Sequence, residues 1–286
     1  MSPSPDPGPR GAAHPVPLLG RTLRTALAGA DAPLVGLWSA SGSGVAAEII
    51  AGAGADVVLI DGEHGPVDLP QILQLLQVLA AYPAVPLVRV PWNDPVRIKQ
   101  ILDLGAQSIL VPMVSTADEA RAAVAAARYP GAAGEREGAR GIGSALARSA
   151  RWGRVPGYVA GADEHVSVTV QIETAAGARN AAEIAAVDGV DAVFVGPADL
   201  AGSLGFPGAP QTPEVIAAVD AVIDAAVVQG VPVGVNAFDP ADARRVLARG
   251  AAFVVVSADV TLLARGAAAA LDTARDAASA VPPDAY

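Results

Sequence analysis

The sequence predicts an α/β protein, a (β/α)₈ barrel of the TIM-barrel type with an N-terminal helix in front of its first strand. Two observations carry this prediction: a series of eight short apolar runs, and the helix signals that lie between them. Runs of this length, bounded by Gly or polar residues, are typical of buried parallel strands. In chain order they are Leu34–Trp38, Val57–Ile60, Leu87–Val90, Ile109–Val114, Val168–Ile172, Ala192–Val195, Val231–Val235 and Phe253–Val256.

Between nearly all of these runs lies a stretch of helical length with its own start and stop signals. The starts pair an N-cap residue with a proline at the first helical position, at Asp94-Pro95, Thr212-Pro213 and Asp239-Pro240. The stops are glycines directly before the next strand, at Gly54, Gly105, Gly189 and Gly250. An open doubly wound sheet is the main alternative. It would usually carry a Gly-rich nucleotide turn after its first strand, and Ser41–Gly44 is explained equally well as a helix-entry loop.

Length and composition favour a single folded domain. With 286 residues, 52% of them hydrophobic, the chain can bury the core of one large barrel. We expect residues 1–17, rich in Pro and Gly, to form a flexible tail, residues 18–278 the barrel, and residues 279–286 a short C-terminal tail. A helix is predicted from Leu18 to Ala28, with Gly29 as its stop.

The composition excludes several kinds of partner. A net charge of −10 without a basic run argues against nucleic acid and anionic membranes. The absence of cysteine excludes disulfides, thiol chemistry and thiolate metal sites. No apolar run reaches the length of about 18 residues that a membrane span requires. Since the N-terminal tail also lacks the apolar core of a signal peptide, we expect a cytoplasmic protein.

Two carboxylates follow neighbouring predicted strands. Glu173 ends the fifth run, and Asp199 follows the sixth run in the turn Gly196-Pro-Ala-Asp. Ligands bind at the carboxyl ends of parallel strands, so these acids should face one site. With no Cys and no nearby His, their oxygens favour Mg²⁺ or Mn²⁺ over Zn²⁺. The alternative is that each acid only caps the next helix.

Further polar residues fall on the same predicted rim. Asp61 and Glu63 stand beside His64 after the second run, so that His64 could have a raised pKa and act as a general base. Arg89 ends the third run among apolar residues and needs an anionic partner, either a bound carboxylate or enolate or a barrel acid. His64 could equally be a structural histidine with satisfied hydrogen bonds.

A metal, an arginine and the N-terminus of the helix that follows Gly196 describe a site for a 2-oxo acid whose enolate is stabilised by the cation. Carbon–carbon bond cleavage or formation next to that enolate is the expected chemistry. Lys99 is the only lysine and falls within a predicted helix, which disfavours a Schiff base. The connection from Tyr129 to Tyr158 is long for a compact domain and is either functional or a solvated insertion.

At these residues the sequence resembles the HpcH/HpaI family of metal-dependent, pyruvate-specific class II aldolases. The similar stretches cover nearly everything from Leu18 to Ala270. They are Leu59–His64, Arg89–Pro95, Ile98–Gly105, Leu110–Val114, Gly141–Arg148, Val170–Thr174 and Val195–Leu200.

The resemblance implies a barrel that uses Mg²⁺, Mn²⁺ or Co²⁺, held by Glu173 and Asp199, and no organic cofactor. It implies that pyruvate is bound with the help of Gln171 and of the backbone at Ala198 and Asp199. The implied reaction is the reversible cleavage of a 4-hydroxy-2-oxo acid into pyruvate and an aldehyde. Members of the family are homohexamers that exchange their last helix.

The resemblance also assigns roles in the reaction. His64 takes the place of the base, Arg89 that of the residue that stabilises the enolate, and Asp103 that of an acid that raises the basicity of the histidine. The pattern alone makes Asp103 an ordinary helix-end residue. Trp38 matches a position near the aldehyde end of the pocket, and simple barrel packing is its alternative role.

Two other functions fit the same residues. One is a metal-dependent lyase or hydrolase of the citrate-lyase β-subunit kind, acting on acyl-CoA substrates, although the chain offers little basic surface for the CoA phosphates. The other is a non-catalytic 2-oxo acid binding protein. Within the aldolases, the stretch Val233–Phe238 and a longer loop after Tyr129 depart from the family pattern, and a sugar-derived substrate stays open.

Overall fold

The computed structural model describes residues 19–131 and 137–279. Within these ranges, eight parallel strands pair in chain order, and the last pairs with the first to close a barrel. The predicted (β/α)₈ fold is therefore confirmed. The strands are β1 (Leu34–Ser39), β2 (Val57–Asp61), β3 (Val85–Arg89), β4 (Ser108–Val111), β5 (Ser167–Ile172), β6 (Ala192–Val195), β7 (Val233–Asn236) and β8 (Phe253–Ala258).

Helices surround the barrel and connect its strands. Short 3₁₀ turns also occur at Ser144–Leu146, Arg148–Ala150 and Ala162–His165. The α-helices of the described ranges are α1 (Leu23–Ala28), α2 (Gly44–Gly52), α3 (Leu69–Leu79), α4 (Pro95–Asp103), α5 (Ala117–Ala127), α6 (Tyr158–Gly161), α7 (Ala175–Arg179), α8 (Ala181–Ala185), α9 (Pro197–Ser203), α10 (Pro213–Val228), α11 (Pro240–Ala248) and α12 (Asp259–Ser279).

Several predicted boundaries were wrong, and proline or capping explains most of them. β4 ends at Val111 because Pro112 has no N–H to donate to the sheet, and β7 begins only after Pro232 for the same reason. α1 begins at Leu23 because Thr22 caps it: the Thr22 side chain accepts from the backbone of Thr25. The predicted N-terminal tail, residues 1–17, and residues 280–286 of the C-terminal tail lie outside the described residues.

The core has two parts. One lies between the sheet and the surrounding helices, and the other fills the barrel itself. Alternate residues of the strands point inward and form the second part, in which Phe194 and Phe253 stack with ring centroids 5.7 Å apart. The barrel interior is therefore packed with side chains, which leaves the strand ends as the place for a ligand.

α1 closes the N-terminal end of the barrel. Its backbone N–H groups at Leu23 and Arg24 donate to the hydroxyls of Ser108 (2.8 Å) and Ser167 (3.3 Å), the first residues of β4 and β5. The Arg24 guanidinium also pairs with Asp191 at 3.0 Å.

The described part of the long connection from Tyr129 to Tyr158 lies on the N-terminal side of the barrel, since it follows α5 and leads to the start of β5. Its Arg140 side chain is buried over the Tyr129 ring (4.5 Å) and pairs with Asp103 at 2.8 Å. Residues 132–136 of this connection are outside the described ranges. No helix of the described chain combines the length and the apolar character that a membrane span needs.

Substitution of Gly234 in β7 tests how tightly the barrel interior is packed. A Cβ at this position would lie 2.1 Å from the Phe253 ring. We expect Gly234→Ala to lower the free energy of unfolding by about 1–3 kcal/mol, because the ring has no room to move. Urea unfolding of the full chain measures the change.

Gly52→Ala is the matched control. Gly52 is an exposed residue of α2, and its Cβ would meet the Tyr82 ring at an ordinary 3.7 Å. We expect a change smaller than about 1 kcal/mol. Equal effects of the two alanines would contradict the packing described for the barrel interior.

Candidate active site

A cavity of about 230 Å³ opens at the C-terminal ends of the strands. Six of the eight residues to which the sequence analysis gave a catalytic, substrate-binding or metal-binding role line it: Trp38, His64, Arg89, Gln171, Ala198 and Asp199. Glu173 lies directly against two of its lining residues, since a Cβ on Gly196 would fall 2.8 Å from the Glu173 Oε2 and 2.9 Å from the Gln171 amide nitrogen. The other lining residues are Ala40, Asp61, Phe194, Gly196, Asn236, Phe238 and Ala258.

The Glu173 carboxylate is held by two donors. The backbone N–H of Met113 donates to its Oε1 at 2.8 Å, and the Gln171 side-chain amide donates to its Oε2. Met113 has φ = 59°, a left-handed conformation that is rare for a bulky residue and strains the backbone. In this conformation the Met113 N–H points at the Glu173 carboxylate. The turn after β4 thus holds in place Glu173, the residue that follows β5.

Glu173 is only 2% exposed, and no cationic side chain of residues 19–131 and 137–279 pairs with it. Burial is the main reason that the pKa of Glu173 rises to about 7, and the charges of Asp199 and Glu63 raise it further. The hydrogen bonds from Met113 and Gln171 oppose this shift. A buried carboxylate near other acids is the environment that a positive ion stabilises.

Asp199 reaches the same place from the first turn of α9. Gly196 precedes this helix and packs directly against Glu173 and Gln171, so that a Cβ there would displace the two side chains. This close approach explains the glycine in the Gly196-Pro-Ala-Asp turn. The predicted short helix after β6 and the predicted meeting of Glu173 with Asp199 are both found.

The donor set fits a hard divalent cation. No group of three or more His, Cys, Asp or Glu side chains with metal-binding geometry occurs in the described chain, so a closed protein cage is absent there. Mg²⁺ and similar ions are commonly held by one or two carboxylates, with the other positions left to water and substrate oxygens. The Oε1 of Gln171 is buried and has no hydrogen-bond partner, which leaves a further oxygen beside Glu173. These residues therefore suit a cation that is shared with a substrate.

Arg89 is fixed by two acids at the end of β2. Its Nε and Nη2 lie 3.0 and 2.8 Å from Asp61 Oδ1, and its Nη1 lies 3.0 Å from Glu63 Oε2. Asp61 and Arg89 are register partners on adjacent strands, which explains why their side chains meet. The predicted alternative, an ion pair with a barrel acid, is thus present, and the guanidinium also lines the cavity.

His64 is the exposed member of the set. Its side chain is 66% exposed, and its Nε2 lies 4.0 Å from Glu63 Oε2. Asp61 accepts hydrogen bonds from the backbone N–H groups of Glu63 and His64, so it shapes the turn and does not touch the imidazole ring. The ring can therefore reach a ligand in the cavity and exchange protons with solvent.

One wall of the cavity joins the predicted Trp38 to Asn236 and Phe238, to which the sequence assigned no role. The indole N–H of Trp38 donates to Asn236 Oδ1 at 3.0 Å, and the Arg89 guanidinium lies 4.4 Å from the centre of the Trp38 ring. Phe238 follows Asn236 on the same side. The departure of Val233–Phe238 from the family pattern was the signal that marked this stretch.

Asp103 and Lys99 do not reach this cavity within one chain. Asp103 ends α4, at the N-terminal side of the barrel, and its carboxylate pairs with Arg140. Lys99 lies in the same helix near Gly141. A role for Asp103 beside His64 would therefore require a second copy of the chain.

A model of the HpcH/HpaI aldolase/citrate lyase family matches residues 34–266, which include all eight strands. The chain belongs to this family. The 4-hydroxy-2-oxo-heptane-1,7-dioate aldolase of Salmonella dublin is 52% identical over 240 residues, which are 84% of this chain and 89% of that protein.

Solved structures of HpcH/HpaI family members have the same architecture. A family protein from Burkholderia cenocepacia J2315 superposes with a TM-score of 0.84 at 41% identity, covering 88% of this chain and 98% of that one. The HpcH/HpaI aldolase of Desulfitobacterium hafniense DCB-2 gives 0.80 at 30% identity, covering 92% and 98%. The predicted family and the predicted class of enzyme, a carbon–carbon lyase of the aldolase type, are confirmed.

The raised pKa of Glu173 predicts how pH affects the stability of the metal-free protein. Between pH 4.5 and about 7 the folded state holds a proton that the unfolded state has released, so wild-type stability falls as pH rises through this window. Glu173→Gln has no carboxyl group to ionise at this position, so its stability does not fall for this reason as pH rises. We expect the variant to be more stable than wild type by about 3 kcal/mol at pH 8, and similar to it at pH 5, in urea unfolding with EDTA.

Glu183→Gln, at an exposed glutamate of α8, is the control and should follow wild type at both pH values. If Glu173→Gln and wild type had the same free energy of unfolding at pH 8, the ionised Glu173 carboxylate would not destabilise the folded protein, and the prediction would be wrong.

Proposed function

We propose that the protein reversibly cleaves a 4-hydroxy-2-oxo acid into pyruvate and an aldehyde. The observation that carries this proposal is the buried Glu173 carboxylate, which has no cationic side-chain partner in the described chain and lies next to Asp199 and a 230 Å³ cavity. Such a cavity has room for a small 2-oxo acid. The aldolase relative from Salmonella dublin supports this chemistry over that of an acyl-CoA lyase or of a binding protein.

Glu173 and Asp199 are the residues that would hold a divalent cation, Mg²⁺, Mn²⁺ or Co²⁺, and no organic cofactor is required. When bound, the cation supplies Lewis acidity to the 2-oxo group and stabilises the charge that develops as the carbon–carbon bond breaks. Gln171 and the backbone N–H groups of Ala198 and Asp199, at the free first turn of α9, would orient the pyruvate carboxylate.

Arg89 would stabilise negative charge on the pyruvate fragment. Its guanidinium is 6% exposed and its direction is set by Asp61, Glu63 and the Trp38 ring, so it need not reorganise during the reaction. Asp61 and Glu63 neutralise the arginine before substrate binds. They also hold the guanidinium at the cavity, where its remaining N–H donors can meet a ligand.

His64 would remove the proton of the 4-hydroxyl group in the cleavage direction. Loss of that proton lets the C3–C4 bond break, the aldehyde leaves, and the pyruvate fragment then takes up a proton at C3. The exposed imidazole can pass its proton to water between turnovers. Trp38, Asn236 and Phe238 form the wall on the side where the aldehyde would lie.

The assembly that we propose is a homohexamer, as in the family. α12 exposes Leu262, Leu263 and Leu271, an apolar surface that a monomer would leave in water. In such an assembly Asp103 of one chain could approach His64 of a neighbour. This would account for a site acid that lies on the opposite side of its own barrel.

Cleavage of 4-hydroxy-2-oxo-heptane-1,7-dioate with Mg²⁺ or Mn²⁺, followed by pyruvate release, tests the function. We expect His64→Ala to reduce kcat at least about 100-fold, as the loss of a general base does. His165→Ala is the matched control: His165 stacks on Tyr158 beside the first residue of β5 and should leave kcat unchanged. Wild-type turnover by His64→Ala would overturn the assignment of the base.

Co-expression of two inactive variants tests the shared site. Hexamers that mix His64→Ala with Asp103→Asn chains contain some sites with both native side chains, if Asp103 serves a neighbour. We expect these mixtures to regain activity. Mixtures of His64→Ala with Glu173→Gln should stay inactive, because both changes affect the cavity of one chain. The absence of recovery in the first mixture would contradict the role of Asp103.

A further inference from the structure

A second cavity lies at the opposite end of the barrel from the candidate active site. Its volume is about 360 Å³, and it lies between the ends of α3 and α4, the start of β3 and the turn after Leu146. One side is apolar, formed by Leu76, Leu79, Val85 and Pro86. The other side carries three arginines, Arg21, Arg148 and Arg151.

These three guanidiniums are bonded only to neutral groups in the described chain. Arg21 donates to the carbonyl of Pro83 at 3.1 Å, and Arg151 donates to the carbonyl of Arg148 at 3.0 Å. Arg148 donates to the carbonyls of Leu104 (3.1 Å) and Leu76 (3.5 Å). Since each guanidinium carries five N–H donors, most donors remain available and the three positive charges are not neutralised.

The arrangement is unusual for this chain, whose net charge is −10. Other arginines, such as Arg24, Arg89 and Arg249, pair with Asp or Glu. No acidic residue lines the second cavity. Glu48 contacts the wall of the cavity but is already engaged, since it accepts a hydrogen bond from the Tyr82 hydroxyl.

The central arginine is held in place. A Cβ on Gly105 would lie 2.7 Å from Arg148 Nη1, so the side chain lies tightly against the turn that leads to β4. Burial and the nearby charge of Arg151 lower the pKa of Arg148. Both effects disfavour the charged form of the Arg148 side chain, and a bound anion would favour it.

We propose that the cavity formed around Arg21, Arg148 and Arg151 binds a small, multiply charged oxyanion. Phosphate and di- or tricarboxylates share the chemistry that guanidinium groups recognise, namely pairs of oxygens that accept two parallel N–H···O hydrogen bonds, with more than one negative charge in total. The apolar side would accommodate the carbon skeleton of an organic anion. Because the cavity is on the N-terminal side of the barrel, this ligand does not occupy the candidate active site of the same chain.

Binding to the metal-free full-length protein tests the proposal. Inorganic phosphate is titrated calorimetrically and in thermal unfolding, against sodium chloride at equal ionic strength, and succinate and citrate follow under the same conditions. We expect at least one of these oxyanions to bind and to raise Tm, because a ligand of the native state stabilises it. Comparison of the three identifies phosphate or carboxylate as the preferred group.

Arg151→Gln and Arg21→Gln should each raise the Kd of that oxyanion about tenfold, the loss expected for one charge-assisted contact. Without ligand, both variants should keep the Tm of wild type, because neither arginine pairs with an acid. Arg154→Gln is the control, since Arg154 lies on the same turn but outside the cavity, and it should bind as wild type does.

Three results would overturn the proposal. One is that none of the oxyanions binds more tightly than chloride. Another is equal Kd values for wild type, Arg151→Gln and Arg21→Gln. The third is binding that survives both of these changes but disappears in Arg89→Gln, which would place the anion at the candidate active site.

Discussion

The backbone N–H of Met113 and the amide of Gln171 hold the Glu173 carboxylate where it is nearly excluded from water. The rest of the site is arranged around this interaction. Met113 adopts a strained conformation to make it, and Gly196 lacks a side chain so that the Asp199 turn can approach it. A carboxylate in this position is costly unless a cation neutralises it. The geometry of three strand ends, β4, β5 and β6, thus fits the metal site that we propose at Glu173 and Asp199.

A separate network controls the arginine. Asp61 and Glu63 pair with the guanidinium of Arg89, which offsets part of the negative charge that these two acids place near Glu173. The barrel mouth thus places acids that suit a cation beside an arginine that can donate hydrogen bonds to an anionic fragment. An aldolase that stabilises a pyruvate enolate needs these two functions next to each other.

The sequence predicted the strands and most of the rim because parallel strands place successive C-terminal residues at one edge. Glu173, Asp199, His64 and Arg89 follow from that rule. It did not predict that Asp61 and Glu63 would pair with Arg89, since strand register decides which side chains meet. Asn236 was also missed as a partner of Trp38, because this contact joins residues far apart in the chain. The place of Asp103 also did not follow from the sequence: it ends α4 and lies on the opposite side of its own barrel from the cavity.

Loss of the pyruvate methyl proton signal in D₂O, followed by NMR, tests the central claim most directly, because it detects the enolate without knowledge of the aldehyde. The account predicts exchange with Mg²⁺ or Mn²⁺, no exchange after EDTA, and no exchange in Glu173→Gln, which should retain its fold. Exchange that persists without metal, or in Glu173→Gln with metal, would contradict the assignment of the buried carboxylate as a metal ligand. A complete lack of exchange with any divalent ion would mean that the cavity serves a different substrate.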